Sequence, residues 1–426
     1  RLKKTIEYLL YLFIFLLPWQ TVYLFQERFI NGVKWEYGSL GIYLTEVLLW
    51  VIIILFCLNG MVGRKSKGQK TGKHYSWMIF ILSFVFMSAL SIIWANDGTL
   101  AFFYFLRLAE AIIVFFFVLK SGNAGSFSWI LVFSGLVQSF LAIGQFLIQG
   151  VAANKWLGIA GQLPSDLGAS VIQYAADGQS YRWLRAYGSF PHPNILGGFL
   201  VICFLVGLSL YFRLEYGWKK IILTPCLMAT TAGLFFSFSR SAWIGAVIGA
   251  IIVFLIAKKE KSLKMNFKII IYLFLILIPL VLIYRPLVSS RTSLNNDLEK
   301  QSVERRQGLA EEAGGIIKDN WFLGVGIGNY TSYLNHQFKD LRLWQRQPAH
   351  NLYFLILAES GLAGLVIFIL FIFLFISKLK LETGLGLLGP LLAISFLDHY
   401  FWTLYPGIIM FWLALALVLK NSLEEK

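Results

Sequence analysis

The sequence predicts an all-α integral membrane protein with about twelve transmembrane helices. Hydrophobic residues make up 58% of the 426 residues and charged residues only 14%, whereas soluble domains carry about 25% charged residues. The mean hydropathy is +0.70. Twelve helices of about 20 residues each would use roughly 240 residues, which is close to the apolar share of the chain. The composition therefore excludes a soluble enzyme and a disordered chain.

Twelve apolar runs are each predicted to be helical, because lipid offers no partner to unpaired backbone groups. The runs cover residues 5–25, 40–59, 76–94, 100–119, 127–149, 193–212, 221–236, 242–257, 268–284, 351–376, 384–398 and 404–419. Residues 221–257 also allow an interpretation as one broken pair around Ser237–Ser241. The chain 1–426 is therefore predicted to be a single polytopic membrane domain.

The distribution of lysine and arginine predicts the orientation. The net charge is +15, but the basic residues flank the apolar runs, so we expect no nucleic-acid partner. With a cytoplasmic amino terminus, the inner segments hold 21 of these residues and the outer segments 15, nine of them in one long loop. Long loops count little in the positive-inside rule, and without that loop the ratio is 21 to 6. The sequence thus predicts that both termini lie in the cytoplasm.

Two outer segments are too long to be turns. They are a first extracytoplasmic loop at 150–192 and a large polar loop at 285–350. In the second loop, the residue pattern predicts a helix over Val303–Lys318, a glycine turn at 324–329 and a second helix over Thr331–Trp344.

Arg240 lies in the short connection between two apolar runs and has a serine on each side. A charge at bilayer depth costs at least about 2.5 kcal/mol. One interpretation is a side chain that reaches up to the interface. The other is a fixed cation that holds an anionic ligand, and the neighbouring hydroxyl donors favour it.

The first outer loop ends in Arg185–Asn194, where two prolines and a glycine predict a non-helical entry into the next run. His192 and Asn194 are each a candidate cap for that helix, because a side-chain acceptor can satisfy its first free amide donors. Arg185 is a candidate second phosphate contact.

The large loop contributes Arg305 and Arg306, which begin the predicted loop helix, and His350 and Asn351, which open the next apolar run. An exposed charge run is also typical of a solvated helix face. A histidine at the outer mouth of a helix can act near neutral pH as a base, an acid or a donor, and an interface histidine is the alternative.

Three further observations concern a candidate ion pair, an interfacial anchor and metal binding. Arg107 and Glu110, three residues apart in one predicted span, are expected to pair on one helical face. Asp398-His399, in the last outer turn, is predicted to anchor an aromatic belt. No metal or other cofactor is predicted, because the sequence contains no Asp-x-Asp and no close cluster of outer carboxylates and histidines. Arginines would then neutralise a bound phosphate.

Taken in order, five motifs resemble the O-antigen ligase and polymerase superfamily. They are Arg-Ala-Tyr-Gly-Ser-Phe-Pro-His-Pro-Asn (185–194), Ser-Arg-Ser-Ala-Trp (239–243), the helix led by Glu-Arg, Gly-Val-Gly-Ile-Gly-Asn (324–329) and His-Asn-Leu-Tyr (350–353). Ala-Glu-Ser-Gly-Leu-Ala-Gly (358–364) also fits the pattern, and the likeness covers about residues 181–376. Trp321 and Ala310 depart from it, since a proline and a tryptophan are usual there, and this weakens the placement of the loop helix.

The resemblance implies a GT-C-like glycosyltransferase of the bacterial inner membrane with a large periplasmic helical loop. Such enzymes take a glycan from undecaprenyl diphosphate at the periplasmic face. Ligases pass it to lipid A-core, polymerases to another lipid-linked repeat, and relatives to proteins. The resemblance implies catalytic roles for Arg240, His350 and one loop arginine, with Arg306 preferred to Arg305. The substrate-binding candidates are Arg185, Arg305, His192, Asn194 and Asn351.

A transporter of a polyprenyl-linked or anionic solute is the alternative from another class, and intramembrane charges such as Arg107 suit it. Transporters often consist of two related halves with broken helices, and the sequence shows no such symmetry. The unusual polar residues gather on one predicted side, not along a path across the membrane. These observations favour the enzyme.

Overall fold

The computed structural model describes residues 1–62, 76–176, 179–259, 268–293, 297–337, 346–379 and 381–424. The helices in these ranges are α1 (Leu2–Leu16), α2 (Leu44–Val62), α3 (Ser76–Leu90), α4 (Gly98–Lys120), α5 (Ala124–Ile148), α6 (Pro193–Arg213), α7 (Trp218–Phe236), α8 (Arg240–Lys259), α9 (Lys268–Ile283), α10 (Arg285–Thr292), α11 (Asp297–Asp319), α12 (Tyr330–Gln337), α13 (Leu352–Ile376), α14 (Leu381–Leu397), α15 (Tyr400–Thr403) and α16 (Tyr405–Glu424). Short antiparallel pairs join β1 (Val22–Gln26) to β4 (Leu40–Tyr43), β2 (Phe29–Ile30) to β3 (Val33–Lys34), and β5 (Val171–Ala176) to β6 (Gln179–Leu184). Most side chains of α6 and α16 are buried, so these two helices form the centre of the bundle.

Each predicted apolar run overlaps a helix: α1 to α9, then α13, α14 and α16. Seven of the described helices are long and apolar enough to cross a membrane, or eight if α9 and α10 form one bent span. Some of the other apolar helices are shorter. For example, α1 has 15 residues, whereas a helix needs about 20 residues to cross the hydrocarbon core. The prediction of a helical, multi-pass membrane protein is confirmed, and the number twelve stays a prediction.

The predicted outer side also contains strands, which the sequence does not predict. The run predicted at 5–25 is helical only to Leu16, because Pro18 cannot continue the helix, and the chain then enters β1. β5 and β6 form a hairpin within the first outer loop. The sequence of β6 does not alternate between apolar and polar residues, which is the pattern that indicates a half-buried strand. Most of its side chains are exposed.

The loop helices differ from their predicted bounds. α11 begins at Asp297, well before the predicted start at Val303, and ends at Asp319. α12 begins at Tyr330, close to the predicted Thr331, and the last residues of that predicted helix, 338–344, lie outside the described residues.

The connections predicted on the same side of the membrane contact one another. On the predicted outer side, the Asp97 backbone N–H donates to Asn329 Oδ1 over 2.8 Å. On the predicted inner side, Glu424 Oε2 accepts from the Ala124 backbone N–H at 3.0 Å. This pairing of connections is what a chain that crosses repeatedly from side to side would produce.

We expect a cysteine at Lys318 to react with an impermeant thiol reagent on intact cells, and a cysteine at Glu215 to react only after permeabilisation. Both side chains are exposed, and Cys57, Cys203 and Cys226 are first replaced by alanine, since Cys57 is exposed too. The reason is the lysine and arginine ratio of 21 to 6. Labelling of position 215 but not of position 318 would reverse the predicted orientation.

The predicted ion pair between Arg107 and Glu110 is wrong. Arg107 Nη2 donates to the Gly41 carbonyl over 3.2 Å, and its guanidinium carbon lies 4.7 Å from the centroid of the Phe103 ring. Neither carboxylate oxygen of Glu110 is hydrogen-bonded to the guanidinium. A carbonyl from a distant strand thus replaces the local partner, and spacing along one helix cannot reveal this.

Candidate active site

Asp398 is the centre of a polar cluster at the predicted outer end of the bundle. It lies between α14 and α15 and is 2% exposed. Its Oδ2 accepts the Ser241 hydroxyl at 2.7 Å, and its Oδ1 lies 3.3 Å from His350 Nδ1. Asn194 Nδ2 donates to both oxygens, over 3.3 and 3.4 Å. Three distant parts of the chain therefore share the buried carboxylate of Asp398.

The negative charge of Asp398 determines that Nδ1 is the protonated nitrogen of a neutral His350. Burial would raise the pKa of Asp398, but the hydrogen bond from His350, the charges of His350 and Arg306, and the Ser241 hydroxyl hold that pKa well below its usual range. An ionised carboxylate only accepts hydrogen bonds, so Nδ1 of His350 carries the proton of their contact. In the neutral imidazole, Nε2 is then unprotonated, as a general base requires.

A second histidine packs against His350. The ring centroids of His350 and His399 lie 4.9 Å apart, and His399 Nδ1 is 2.7 Å from the Thr403 hydroxyl. Burial, together with the positive charge of Arg306, lowers the pKa of His399 to about 3. His399 is therefore neutral, whereas the side chain of His350 keeps 21% exposure and can be reached from outside.

Asn351 caps α13. Its Oδ1 accepts the backbone N–H groups of Tyr353 and Phe354 over 2.9 and 3.1 Å. A cap of this kind satisfies the first free donors of a helix. The Asn351 oxygen is thus already engaged, and its predicted contact with substrate stays a prediction.

Arg185 reaches the cluster through Asn194. Arg185 is 5% exposed, and its Nη2 donates to Asn194 Oδ1 at 2.6 Å. The amide nitrogen of Asn194 donates to Asp398. One asparagine side chain therefore bridges a buried cation and a buried carboxylate, which explains why it does not cap α6.

His192 is the cap of α6. Its Nδ1 accepts the Asn194 backbone N–H at 3.1 Å, and its Nε2 lies 3.0 Å from the Ser170 hydroxyl. Burial and the charge of Arg185 lower the pKa of His192 to about 3. Of the two predicted caps, the structure selects His192, as a neutral residue.

Arg240 is the first residue of α8 and is half-buried. Before it, Phe238 has a φ of +46°, a left-handed conformation that residues other than glycine rarely adopt. The next residue, Ser241, donates to Asp398. This strained turn therefore holds Arg240 beside the Asp398 cluster, and such strain is typical of functional sites.

The two arginines of α11 act on different groups. The charge of Arg306 contributes to the lowered pKa of Asp398. The charge of Arg305 acts on Tyr37 and on Glu312, where burial raises the carboxyl pKa and Arg305 opposes the rise. Successive residues of a helix diverge by about 100°, so α11 offers Arg306 to the cluster and Arg305 to Glu312.

The glycine turn at 324–329 fastens the large loop to the bundle. Its backbone N–H groups donate to the Ala358 and Glu359 carbonyls over 3.0 and 2.9 Å. The buried Glu359 carboxylate accepts the Gly328 N–H at 2.8 Å and Trp402 Nε1 at 2.7 Å. One acid thus joins the loop to α13 and α15, at the same end of the bundle as Asp398.

The sequence alone does not place Asp398 or His399 in the site. The prediction that Asp398-His399 anchors an aromatic belt is wrong, since these residues are 2% and 9% exposed and are hydrogen-bonded inside the protein. The available signal is an acid within the apolar carboxy-terminal region, because membrane proteins keep such residues mainly where they function.

The cluster offers one proton acceptor and several permanent cations. Within the ranges that the structure describes, no three His, Cys, Asp or Glu side chains are grouped to hold a metal ion. Arginines can hold phosphate oxygens through forked contacts. The arrangement can therefore deprotonate a hydroxyl and stabilise an anionic leaving group.

Residues 225–369 match the model of the O-antigen ligase family (Wzy_C). The matched segment runs from α7 into α13 and contains Arg240, Arg306 and His350, whereas Arg185 and Asp398 lie outside it. No curated protein matches the chain. Members of the family are glycosyltransferase-like membrane enzymes, either ligases or polymerases. The match at residues 225–369 therefore supports the resemblance of this chain to the O-antigen ligase superfamily.

Proposed function

We propose that the protein is a metal-independent membrane glycosyltransferase that moves a glycan from undecaprenyl diphosphate to an acceptor hydroxyl at the periplasmic face. Lipid A-core is the first candidate acceptor. The observation that carries the proposal is the contact between His350 Nδ1 and the buried carboxylate of Asp398, which makes Nε2 the proton acceptor of a neutral His350. The charge of Arg306 acts on the same carboxylate, and Arg185 is linked to it through Asn194. The family match supports a lipid-linked glycan as donor.

The arginines act on the leaving group. As the bond between the anomeric carbon and the phosphate oxygen breaks, the lipid diphosphate gains negative charge. Arg240 and Arg306 would stabilise that charge, with Arg185 as a third donor, because preorganised cations are most effective where charge develops. Arginine suits this role, since its guanidinium stays protonated and its fork matches phosphate oxygens.

His350 acts on the acceptor. Its Nε2 takes the hydroxyl proton while the acceptor oxygen forms the new bond to the anomeric carbon. Asp398 holds the imidazole in the required tautomer and stabilises the imidazolium that results. Direct displacement by the acceptor on the face opposite the diphosphate inverts the anomeric centre.

A transfer assay with purified protein tests the proposal and separates its alternatives. The lipid-linked glycan is offered with lipid A-core, with a second lipid-linked repeat, or with a peptide acceptor. Product with lipid A-core is the expected result, and product only with the repeat would make the protein a polymerase of the same superfamily. Movement of the donor across vesicles without transfer to any acceptor would instead establish the transporter.

Chelation is expected to leave the transfer rate largely unchanged. The residues proposed to neutralise the diphosphate are arginines, whose charge needs no metal ion. The measurement compares initial rates with and without EDTA in protein washed free of divalent ions. Loss of activity that magnesium or manganese restores would overturn the arginine-only account of the leaving group.

A further inference from the structure

α9 and α10 meet at a bend of 84°, which turns α10 over the first outer loop. The Ser290 hydroxyl donates to the Gln173 carbonyl of β5, and Leu287 is buried. At the bend, the ring centroid of Tyr284 lies 5.2 Å from that of Phe146 in α5. Contacts with β5 and α5 therefore hold α10 in place at the predicted outer end of the bundle.

This placement brings Arg291 to the turn that precedes Arg240. Arg291 Nε donates to the Phe238 carbonyl at 3.1 Å. Arg185 Nε donates to the preceding carbonyl, that of Ser237, at 2.9 Å. Two arginines from distant segments thus bind consecutive carbonyls of one turn, and the helix after that turn begins with a third arginine.

Several positively charged side chains meet at this turn. His192 lies beside it, and its pKa is lowered by burial and by the charges of Arg185 and Arg291, against the opposing charge of Asp398. Guanidinium groups gathered at one turn can together hold the oxygens of a bound anion. The turn is therefore suited to a ligand that carries more than one negative charge.

We propose that Arg291 is a further cation of the diphosphate-binding site, with Arg185 and Arg240 as its neighbours. The inference rests on the proposed function, because the ligand is the diphosphate of the lipid-linked donor. Both phosphates of that group carry negative charge, and guanidinium forks bind phosphate oxygens in pairs. α10 thus belongs to the site, although it lies outside the sequence motifs.

The test measures the binding of undecaprenyl diphosphate and of undecaprenol, its uncharged counterpart, to the purified full chain in detergent. We expect the wild-type protein to prefer the diphosphate. Arg291→Gln should reduce that preference about 10- to 100-fold, as the loss of a charged hydrogen bond does, without changing undecaprenol binding. Arg291→Lys keeps the charge and should lose less. Arg285→Gln, which changes an exposed arginine of the same helix, should leave the preference intact.

The outcomes are distinguishable. A wild-type protein without preference for the diphosphate contradicts the proposed function itself. A preference that survives in Arg291→Gln contradicts only the role of Arg291. Ser290→Ala removes a contact of α10 without touching a charge, and an equal loss in this variant would show that Arg291 acts only through the position of α10. If Arg291→Gln fails to fold, Arg291→Lys decides, and full wild-type preference in that variant overturns the proposal of a forked contact.

Discussion

Replacing His350 by alanine is expected to remove most glycan transfer while the protein still inserts and folds. With Nδ1 bonded to the Asp398 carboxylate, Nε2 is the proton acceptor of the neutral imidazole. General acid–base catalysis typically contributes about 100- to 10,000-fold to the rate, and a loss in that range is expected. The measurement is the initial rate of transfer from the lipid-linked donor, with the unfolding temperature as the check of folding.

Two experiments separate deprotonation from positioning. The His350→Gln side chain can still hold a hydroxyl by a hydrogen bond, but it takes up no proton at neutral pH. If His350 is the base, this variant should be as inactive as His350→Ala, and added imidazole should restore part of the activity of the alanine variant. A nearly normal rate in His350→Gln would mean that the residue only orients the acceptor.

Replacing Asp398 by asparagine tests whether the Asp398 carboxylate sets the tautomer of His350. The new amide can donate to Nδ1 of His350, which would move the proton to Nε2 and remove the base. In serine proteases, the comparable change lowers kcat by about 10,000-fold. The matched control is Ser395→Ala on α14, since this buried hydroxyl bonds to the Leu391 carbonyl of its own helix. A full rate in Asp398→Asn would refute the tautomer account without removing His350 from the site.

The local features of this site could be predicted from the sequence. Arg240 stands out because a charge is costly between two apolar runs. Two prolines and a glycine around His192 mark an irregular entry into a helix, and the structure contains that cap. His350 lies where the polar loop meets α13. Each of these signals depends on a few neighbouring residues, so one sequence is sufficient to reveal it.

The contacts that join these features could not be predicted in the same way. Asn194 and Asp398 lie 204 positions apart, and their hydrogen bond depends on how α6 packs beside α14. The choice between His192 and Asn194 as the cap depends on the same contact, because Asn194 is occupied by Arg185 and Asp398. Arg291 is missed for a related reason, since only the bend between α9 and α10 brings it to the turn at Phe238.

Arg306→Ala and Arg240→Ala are each expected to lower transfer by about 100- to 1,000-fold, the usual loss when one charge-stabilising donor is removed. Arg306 acts electrostatically on Asp398, and Arg240 begins α8 next to Ser241, which donates to the same carboxylate. Arg240→Lys should recover little, because an ammonium group cannot reproduce the planar fork. The measurement is kcat/KM for the lipid-linked donor, since the lost interaction belongs to the transition state.

The neighbouring residues of α11 provide the controls. A solvated helix face would leave Arg305 exposed, but Arg305 is half-buried and acts on Glu312. Arg305→Ala should therefore destabilise the loop and lower the unfolding temperature, with a smaller effect on kcat/KM than Arg306→Ala. Glu304→Ala, at an exposed position, is the silent control. If Arg305→Ala is inactive and Arg306→Ala is active, the functional arginine is Arg305 and the mechanism survives with that exchange. If the Arg240, Arg305 and Arg306 variants all transfer normally, these arginines do not stabilise the leaving group, and the transporter becomes the leading interpretation.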